Sequence, residues 1–185
     1  MLKELISGEQ QELLLRLIRE SETIVCVCHQ NPDGDAVGAC LAWAELLRAV
    51  YGKTAQVFVP DQYPDYLQWL PNTEKIVRYD KRRDYVDTVL KIADLVFCLD
   101  FNTPSRTDAM ADALCASPAR KVLIDHHPDP DVDAVLCCSH PEMSSTCELV
   151  FRIVWQLGLF DRLEKHFAVP VYCGMMTDTG GFTYN

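Results

Sequence analysis

The 185-residue sequence contains no apolar run long enough for a membrane-spanning helix, no internal repeat and no Gly/Ser-rich linker. Basic residues are few, since 17 Lys and Arg stand against 27 Asp and Glu and give a formal net charge of −10. This acidic balance argues against broad binding to long nucleic acid, which requires a basic surface. We therefore expect a single globular domain that has neither a membrane nor long duplex nucleic acid as its partner.

No Cys-x-x-Cys pair occurs among the nine cysteines, and an odd number cannot all pair within the chain. Cys26, Cys28 and Cys98 lie inside apolar runs, where a free thiol behaves as a small buried hydrophobe. The cysteine pattern therefore predicts a protein of the reducing cytoplasm.

Short apolar runs alternate with segments of helical periodicity along the chain. This pattern predicts an α/β protein with a doubly wound, mostly parallel sheet and helices on both faces. The predicted strands cover residues 24–28, 55–59, 95–99, 122–124 and 134–137, and the predicted helices cover 9–20, 36–51, 85–92, 106–114 and 146–157. Residues 166–176 are helical or mixed, and the proline-punctuated stretch from Pro60 to Pro71 is irregular. Ser145, with Glu148 three residues later, predicts a capping box.

Acidic and imidazole side chains follow four apolar segments. They are His29, Asp33 and Asp35 after the first strand, Asp100 after residues 95–99, Asp125, His126 and His127 after 122–124, and Asp178 after 169–176. In an open parallel sheet, ligands bind beyond the carboxyl ends of the strands. If the strands are neighbours, five aspartates and three histidines meet at one rim.

Such a cluster of carboxylates needs either raised pKa values or cations, because a buried, unpaired charge costs several kcal/mol. Carboxylate and imidazole ligands without thiolates suit Mn²⁺, with Mg²⁺ or Co²⁺ as alternatives. Two ions about 3.5–4 Å apart form the arrangement that activates water against phosphorus. The pattern therefore predicts two divalent cations and phosphate-ester hydrolysis.

Each motif also has an ordinary structural explanation. The sequence from Asn31 to Gly34 is typical turn chemistry, Asp35 could cap a helix that begins near residue 36, and a single histidine is more often structural than a ligand. The metal hypothesis rests on the repetition of the same choice in four segments.

The four motifs, in this order, resemble those of the DHH phosphoesterase superfamily, which is named for an Asp-His-His triplet such as Asp125-His126-His127. The resemblance implies that one ion is held by His29, Asp33, Asp100 and Asp178, and the other by Asp35, Asp100, His126 and Asp178. It also implies that His127 contacts the phosphoryl group or assists the leaving group, and that Asp125 orients a histidine.

Asn31, residues 100–106 and residues 144–149 resemble the bacterial branch of oligoribonucleases and 3′-phosphoadenosine 5′-phosphate phosphatases. Arg106 then becomes a candidate phosphate clamp, or else a surface arginine at a helix start. Ser144 and Ser145 become candidate phosphate contacts, with helix capping as the alternative for Ser145.

The resemblance implies hydrolysis of short oligoribonucleotides and of 3′-phosphoadenosine 5′-phosphate, so the partner is a small phosphorylated nucleotide or a short single-stranded RNA. The alternatives are a cyclic or linear dinucleotide phosphodiesterase, a pyrophosphatase or exopolyphosphatase, and a non-catalytic metal- or nucleotide-binding module. Residues 1–185 are expected to form the DHH catalytic domain, without the smaller C-terminal substrate-binding domain that such relatives carry. Whether two copies form a homodimer stays open.

Overall fold

The computed structural model describes residues 4–183 and shows one six-stranded sheet flanked by helices. The strands are β1 (Ile24–Val27), β2 (Ala55–Val59), β3 (Val77–Arg78), β4 (Leu95–Leu99), β5 (Arg120–Asp125) and β6 (Leu136–Ser139). The α-helices are α1 (Gly8–Glu20), α2 (Gly34–Tyr51), α3 (Tyr79–Ile92), α4 (Ala111–Ala116), α5 (Thr146–Gln156) and α6 (Lys165–Asp178). The strand order is β3-β2-β1-β4-β5-β6, and every neighbouring pair is parallel.

Each face of the sheet carries its own apolar core, because alternate residues of a strand point to opposite faces. Cys26, Phe97 and Ile124 point to the face covered by α1, α2, α5 and α6. Val27 and Cys98 point to the other face, which α3 and α4 cover. Strands buried on both faces explain the continuous apolar runs. The predicted doubly wound fold with helices on both faces is confirmed.

The order of strands reverses between β1 and β4, because the chain moves outward to β2 and β3 before it returns to β4. A crevice forms at such a switch point beyond the carboxyl ends of the strands. The fold therefore places the residues that follow β1, β4 and β5 beside one another.

Helices α2 and α6 pack closely because small residues lie between them. A Cβ atom on Gly38 would lie 2.6 Å from the Pro170 carbonyl oxygen, and one on Gly34 would collide with the Thr177 side chain. This close packing brings the C-terminus of α6 to the N-terminus of α2. None of the helices in the 4–183 region combines the length and apolar content needed to cross a membrane.

Several predicted boundaries were wrong. The helix predicted over 106–114 is a 3₁₀ segment, Pro104–Met110, followed by the short α4, because Asp108 adopts φ 48°, ψ −123° and breaks the helix. The edge strand β3 was not predicted, and β6 begins two residues later than the strand expected at 134–137. The helix expected at 85–92 begins at Tyr79, with non-helical backbone at Arg82.

Candidate metal centre

Three strands and two helices bring the six predicted metal ligands together at the carboxyl edge of the sheet. Helix α2 contributes from its first turn, strands β1, β4 and β5 contribute from the residues that follow them, and α6 contributes its last residue. The six side chains form two groups, His29 with Asp33 and Asp100, and Asp35 with His126 and Asp178. Within each group one ligand atom per residue lies within 4.8 Å of the others.

Asp100 joins the two groups. Its Oδ2 lies 3.4 Å from Nε2 of His29, and its Oδ1 lies 3.6 Å from Nε2 of His126. His126 Nε2 is also 3.5 Å from Oδ2 of Asp178. Two ligands roughly 2.1 Å from one ion and about 90–110° apart are separated by about 3.0–3.5 Å. The separations around Asp100 lie within or just above this range, so these side chains could hold metal ions; the sharing of Asp100 between two ions stays a prediction.

The hydrogen bonds of the two histidines fix which ring nitrogen is available. His29 Nδ1 lies 2.7 Å from the Gln30 carbonyl oxygen, and His126 Nδ1 lies 3.3 Å from that of Met143. Because a carbonyl can only accept, Nδ1 carries the hydrogen in both rings, and a neutral ring then has its lone pair on Nε2. Both Nε2 atoms face carboxylate oxygens, so either a proton or a cation must lie between them. The donor set therefore fits divalent metal ions.

Asp35 has a second structural role. It is fully buried, and its two carboxylate oxygens accept hydrogen bonds from the backbone amides of Thr146 (2.6 Å) and Cys147 (2.8 Å) at the start of α5. The cap of its own helix is Asp33, whose Oδ1 accepts from the amides of Asp35 and Ala36. The alternative that Asp35 caps α2 was therefore wrong.

The pKa directions reflect crowded charges in a buried site. Burial, followed by the charge of Asp100, raises the pKa of Asp35 well above its usual value. Burial also raises the pKa of Asp178, with the imidazole of His126 opposing it. Burial alone would lower the pKa of His29, but the hydrogen bond and charge of Asp100, together with Cys28 and the Gln30 carbonyl, outweigh this and raise the pKa to about 9. Burial alone would raise the pKa of Asp100, but contact with His29 lowers it. The carboxylate of Asp100, which raises the pKa of His29, would equally favour a cation beside it.

His127 lies beside the two groups and has a different partner. Its Nδ1 is 2.8 Å from Oδ1 of the fully buried Asp125, and 3.7 Å from Oδ1 of Asp100. His127 also comes within ligand distance of Asp100 and His126. The short contact commits Nδ1 of His127 to Asp125, and the prediction that His127 is not a metal ligand stays a prediction. Asp125 lies where a residue that orients the His127 ring is expected to lie.

The predicted substrate-binding residues are more scattered. Asn31 lies in the loop after β1, is exposed and has a left-handed backbone (φ 49°). Arg106 is half-buried, and its carbonyl accepts from the Gln30 amide, which ties its loop to the metal-binding loop. The contacts of these side chains with a substrate stay predictions.

The two serines before α5 serve its N-terminus. Ser145 is fully buried, and its Oγ accepts from the Glu148 amide at 3.0 Å. The reciprocal half of the predicted capping box was wrong, because the Glu148 carboxylate accepts from the amide and hydroxyl of Ser144 instead. Contact of either serine with phosphate stays a prediction.

Two features of the site were not predicted. Thr146 is fully buried, and its hydroxyl donates to Oδ1 of Asp100 at 2.9 Å. Thr146 lies in the segment 144–149 that resembles the oligoribonuclease branch, but no sequence motif marks its hydroxyl as part of the site. In addition, Asp178 is the last residue of a helix, whereas the other three apolar segments that precede predicted ligands are strands.

Comparison with known sequences gives a consistent family. Residues 23–175 match the model of the DHH family, N-terminal domain. The bifunctional oligoribonuclease and PAP phosphatase NrnA of Thermus thermophilus is 31% identical over 180 residues, 95% of this chain and 49% of that protein. NrnA of Bacillus subtilis is 27% identical over 172 residues, 92% of this chain and 50% of that protein. The chain thus spans about half the length of these relatives.

Solved structures show the same fold. An exopolyphosphatase-related protein from Bacteroides fragilis superimposes with a TM-score of 0.95 at 42% identity, over 99% of this chain and 54% of that one. RecJ of Thermus thermophilus, solved in complex with Mn²⁺, gives a TM-score of 0.53 at 17% identity, over 92% of this chain and 24% of RecJ. The second likeness concerns the fold alone.

Proposed function

The chain belongs to the DHH family, and on this premise we propose that it holds two divalent cations, with Mn²⁺ preferred, and hydrolyses phosphate esters. The proposed substrates are short oligoribonucleotides and 3′-phosphoadenosine 5′-phosphate. The names of the NrnA relatives support this choice at 27–31% identity. Those relatives are about twice as long as this chain. We therefore also propose that a second, substrate-binding domain completes the substrate site around the metal centre.

The observation that carries the proposal is the position of Asp100 between two histidines. Each of its oxygens faces a different Nε2 atom, at 3.4 Å for His29 and 3.6 Å for His126. A hydrogen-bonded structural carboxylate would show shorter contacts of about 2.7–2.9 Å to a charged donor. The distances from Asp100 to the two Nε2 atoms are close to those between two ligands of one metal ion, which favours a cation between Asp100 and each histidine.

We assign His29, Asp33, Asp100 and Asp178 to one ion, and Asp35, Asp100, His126 and Asp178 to the other. The ions, when bound, would neutralise the phosphoryl oxygens and supply an activated water. The carbonyls of Gln30 and Met143 would keep the two imidazoles oriented for binding.

The residues around the ions are assigned to the substrate. Asp125 fixes the Nδ1 proton of His127, which leaves Nε2 as the atom that contacts a phosphoryl oxygen or passes a proton to the leaving group. Arg106 is assigned to a phosphate oxygen, for which a guanidinium offers two parallel donors. Asn31, Ser144 and Ser145 complete the proposed contacts.

The free state of all nine cysteines supports a reducing location, and we propose the cytoplasm. Buried thiols such as Cys26, whose pKa is raised by burial, serve as core residues rather than metal ligands here.

The test combines metal counting with turnover. After chelation, calorimetric titration of the chain with Mn²⁺ should give two sites. In the protein extended by the proposed second domain, Mn²⁺ should restore release of nucleotide from a diribonucleotide and of phosphate from the bisphosphate. Asp100→Ala should lose both sites, whereas Asp84→Ala, an exposed aspartate on α3, should bind and turn over as the unmodified chain does. A single binding site, or an unaffected Asp100→Ala variant, would contradict the metal assignment.

A second candidate, an exopolyphosphatase, is favoured by the 42% identity to the Bacteroides fragilis protein. Side-by-side turnover of polyphosphate, pyrophosphate, cyclic and linear dinucleotides and the bisphosphate would separate the enzyme alternatives. Two bound ions without hydrolysis of any of them would favour a non-catalytic module.

A further inference from the structure

An open cleft of about 370 Å³ lies beside the metal-binding loop. Its wall consists of Asn31, Pro32, Gln62, Tyr63, Pro64 and Asp65. Ligand pockets for small molecules usually measure about 300–1,000 Å³. Asn31 and Pro32 lie between His29 and Asp33 in the sequence, so the metal-binding loop itself forms one wall. A molecule bound at the metals could therefore extend directly into the cleft.

The cleft is held in place by its anchoring contacts. The backbone amide of Asn31 donates to Oδ1 of Asp61 at 2.7 Å, which joins the loop after β1 to the loop after β2. Leu67 and Leu70 of the second loop are buried against Val37 of α2, in a small cluster with residues of α6. Because both loops are fixed, the cleft exists before any ligand binds, and little ordering is required on binding.

The charge of the cleft excludes a chain of phosphates. None of the six lining residues, all within the described region, is basic, and Asp65 contributes a carboxylate. Arg78 reaches Gln62, but the carboxylate of Asp80 accepts two hydrogen bonds from the same guanidinium, at 3.0 and 2.6 Å. A polyanion in this cleft would meet the carboxylate of Asp65, and no basic side chain lines the cleft to compensate this charge.

The lining groups match the neutral part of a nucleotide instead. Oδ1 of Asp65 accepts from Gln68, and Oδ2 has no partner among residues 4–183, so it can accept from ribose hydroxyls. The side-chain amide of Asn31, likewise unpaired within that range, offers both a donor and an acceptor. Tyr63 and Pro64, both half-buried, supply apolar surfaces against which a base can lie.

We infer that this cleft binds the uncharged nucleoside portion of the substrate, with ribose hydroxyls facing Asp65 and the base against Tyr63. The inference rests on the proposed function, because it places a nucleoside beside phosphate held at the metals. It makes the cleft the element that selects nucleotides over pyrophosphate and polyphosphate.

The test uses adenosine, which carries no phosphate and needs no metal. Adenosine added to the chelator-treated, ¹⁵N-labelled 185-residue chain should shift the amide signals of Asn31, Gln62 and Asp65 in a saturable manner. Pyrophosphate at the same concentration should leave those signals unmoved. Shifts confined to other residues, no shifts at all, or equal shifts from pyrophosphate would overturn the inference.

Single-residue variants test which side chains of the cleft contribute to adenosine binding. Asp65→Lys, at an exposed position that should tolerate it, is expected to weaken adenosine binding about tenfold, since a hydrogen bond to a charged group is lost. Asn31→Gly removes the amide while glycine accepts the left-handed backbone, so the metal loop keeps its shape. Trp69→Ala is the matched control, because Trp69 is 62% exposed on the same loop and does not line the cleft. Unchanged affinity in both cleft variants, or an equal loss in the control, would refute the assignment.

The two proposals fail differently. Adenosine binding in the cleft, without any nucleotide hydrolysis by the Mn²⁺-loaded protein that includes the second domain, would support the cleft assignment and count against the proposed reaction. Hydrolysis of nucleotides without adenosine binding would overturn the cleft alone. Asp65→Lys should also raise the KM for a diribonucleotide more than it lowers kcat, because its contact is with the nucleoside and not with the reacting phosphate.

Discussion

Replacement of Thr146 by valine tests whether the metal centre depends on a hydroxyl outside its proposed ligands. Thr146 is fully buried at the first position of α5, and its Oγ1 donates to Oδ1 of Asp100 at 2.9 Å. Valine has nearly the same shape, so it removes the donor and leaves the packing in place. The backbone amide of residue 146 would continue to donate to Asp35.

The expected size follows from the charge of the acceptor. A hydrogen bond to a charged group contributes about 1.5–3 kcal/mol, which corresponds to a factor of roughly 12–150 in a binding constant. Groups that support metal ligands typically change metal affinity by about 10–100-fold when they are removed. Because Asp100 is shared between the two proposed sites, we expect Thr146→Val to weaken both ions by about this factor.

Calorimetric titration of the chelator-treated variant with Mn²⁺ measures the effect. Thr146→Ser keeps the hydroxyl and loses one methyl group, so it should keep Mn²⁺ affinity while losing about 1 kcal/mol of unfolding free energy. If the Thr146→Val variant bound Mn²⁺ as tightly as the unmodified chain, or if Thr146→Ser lost as much Mn²⁺ affinity as Thr146→Val, the hydroxyl would not support Asp100 as a ligand.

Three further predictions address proton, catalytic and packing roles. The pKa of His29 is raised to about 9 without metal, so Mn²⁺ must displace its proton on binding. The affinity for Mn²⁺ should therefore rise about tenfold per pH unit from about pH 6.5 to 8.5. Calorimetry in two buffers should detect the released proton, and a pH-independent affinity would contradict this. His127→Gln should lower kcat about 10²–10⁴-fold while two Mn²⁺ remain bound. Asp125→Asn, which disturbs the 2.8 Å contact between Asp125 and His127, should also lower kcat. Loss of one bound ion in His127→Gln would instead make His127 a ligand. Gly174→Ala would place a Cβ against Sγ of Cys147 and should cost at least about 1–3 kcal/mol in urea unfolding, so unchanged stability would show that the contact relaxes freely.

The strand-borne part of the site could be predicted because its geometry is a consequence of topology. Asp100 directly follows β4, His126 directly follows β5, and His29 lies two residues beyond β1. In a parallel sheet the carboxyl ends of neighbouring strands share one edge, so residue order along the chain becomes proximity in space. Apolar runs mark where the strands end, so the residues that follow each run could be placed at the site from the sequence pattern alone.

The helix-borne part could not be derived in this way. Asp178 reaches the site because α6 lies against α2, and that approach depends on a contact between Gly34 and Thr177, residues 143 positions apart in the chain. No periodicity or local motif encodes such a pairing. The break at Asp108 was missed for a related reason, since a non-glycine residue with positive φ has only a weak sequence signal.

Asp35 links the metal centre to the folding of α5. Its carboxylate accepts the two amides that begin the helix, while burial and the charge of Asp100 raise its pKa and oppose ionisation. The charged form satisfies those amides better than the protonated form does, because an ionised acceptor makes the stronger hydrogen bond. A bound cation would offset the repulsion from Asp100 and so favour the charged form. Metal binding should therefore stabilise the N-terminus of α5 as well as the ligands, and amide hydrogen exchange at Thr146 and Cys147 should slow when Mn²⁺ is added.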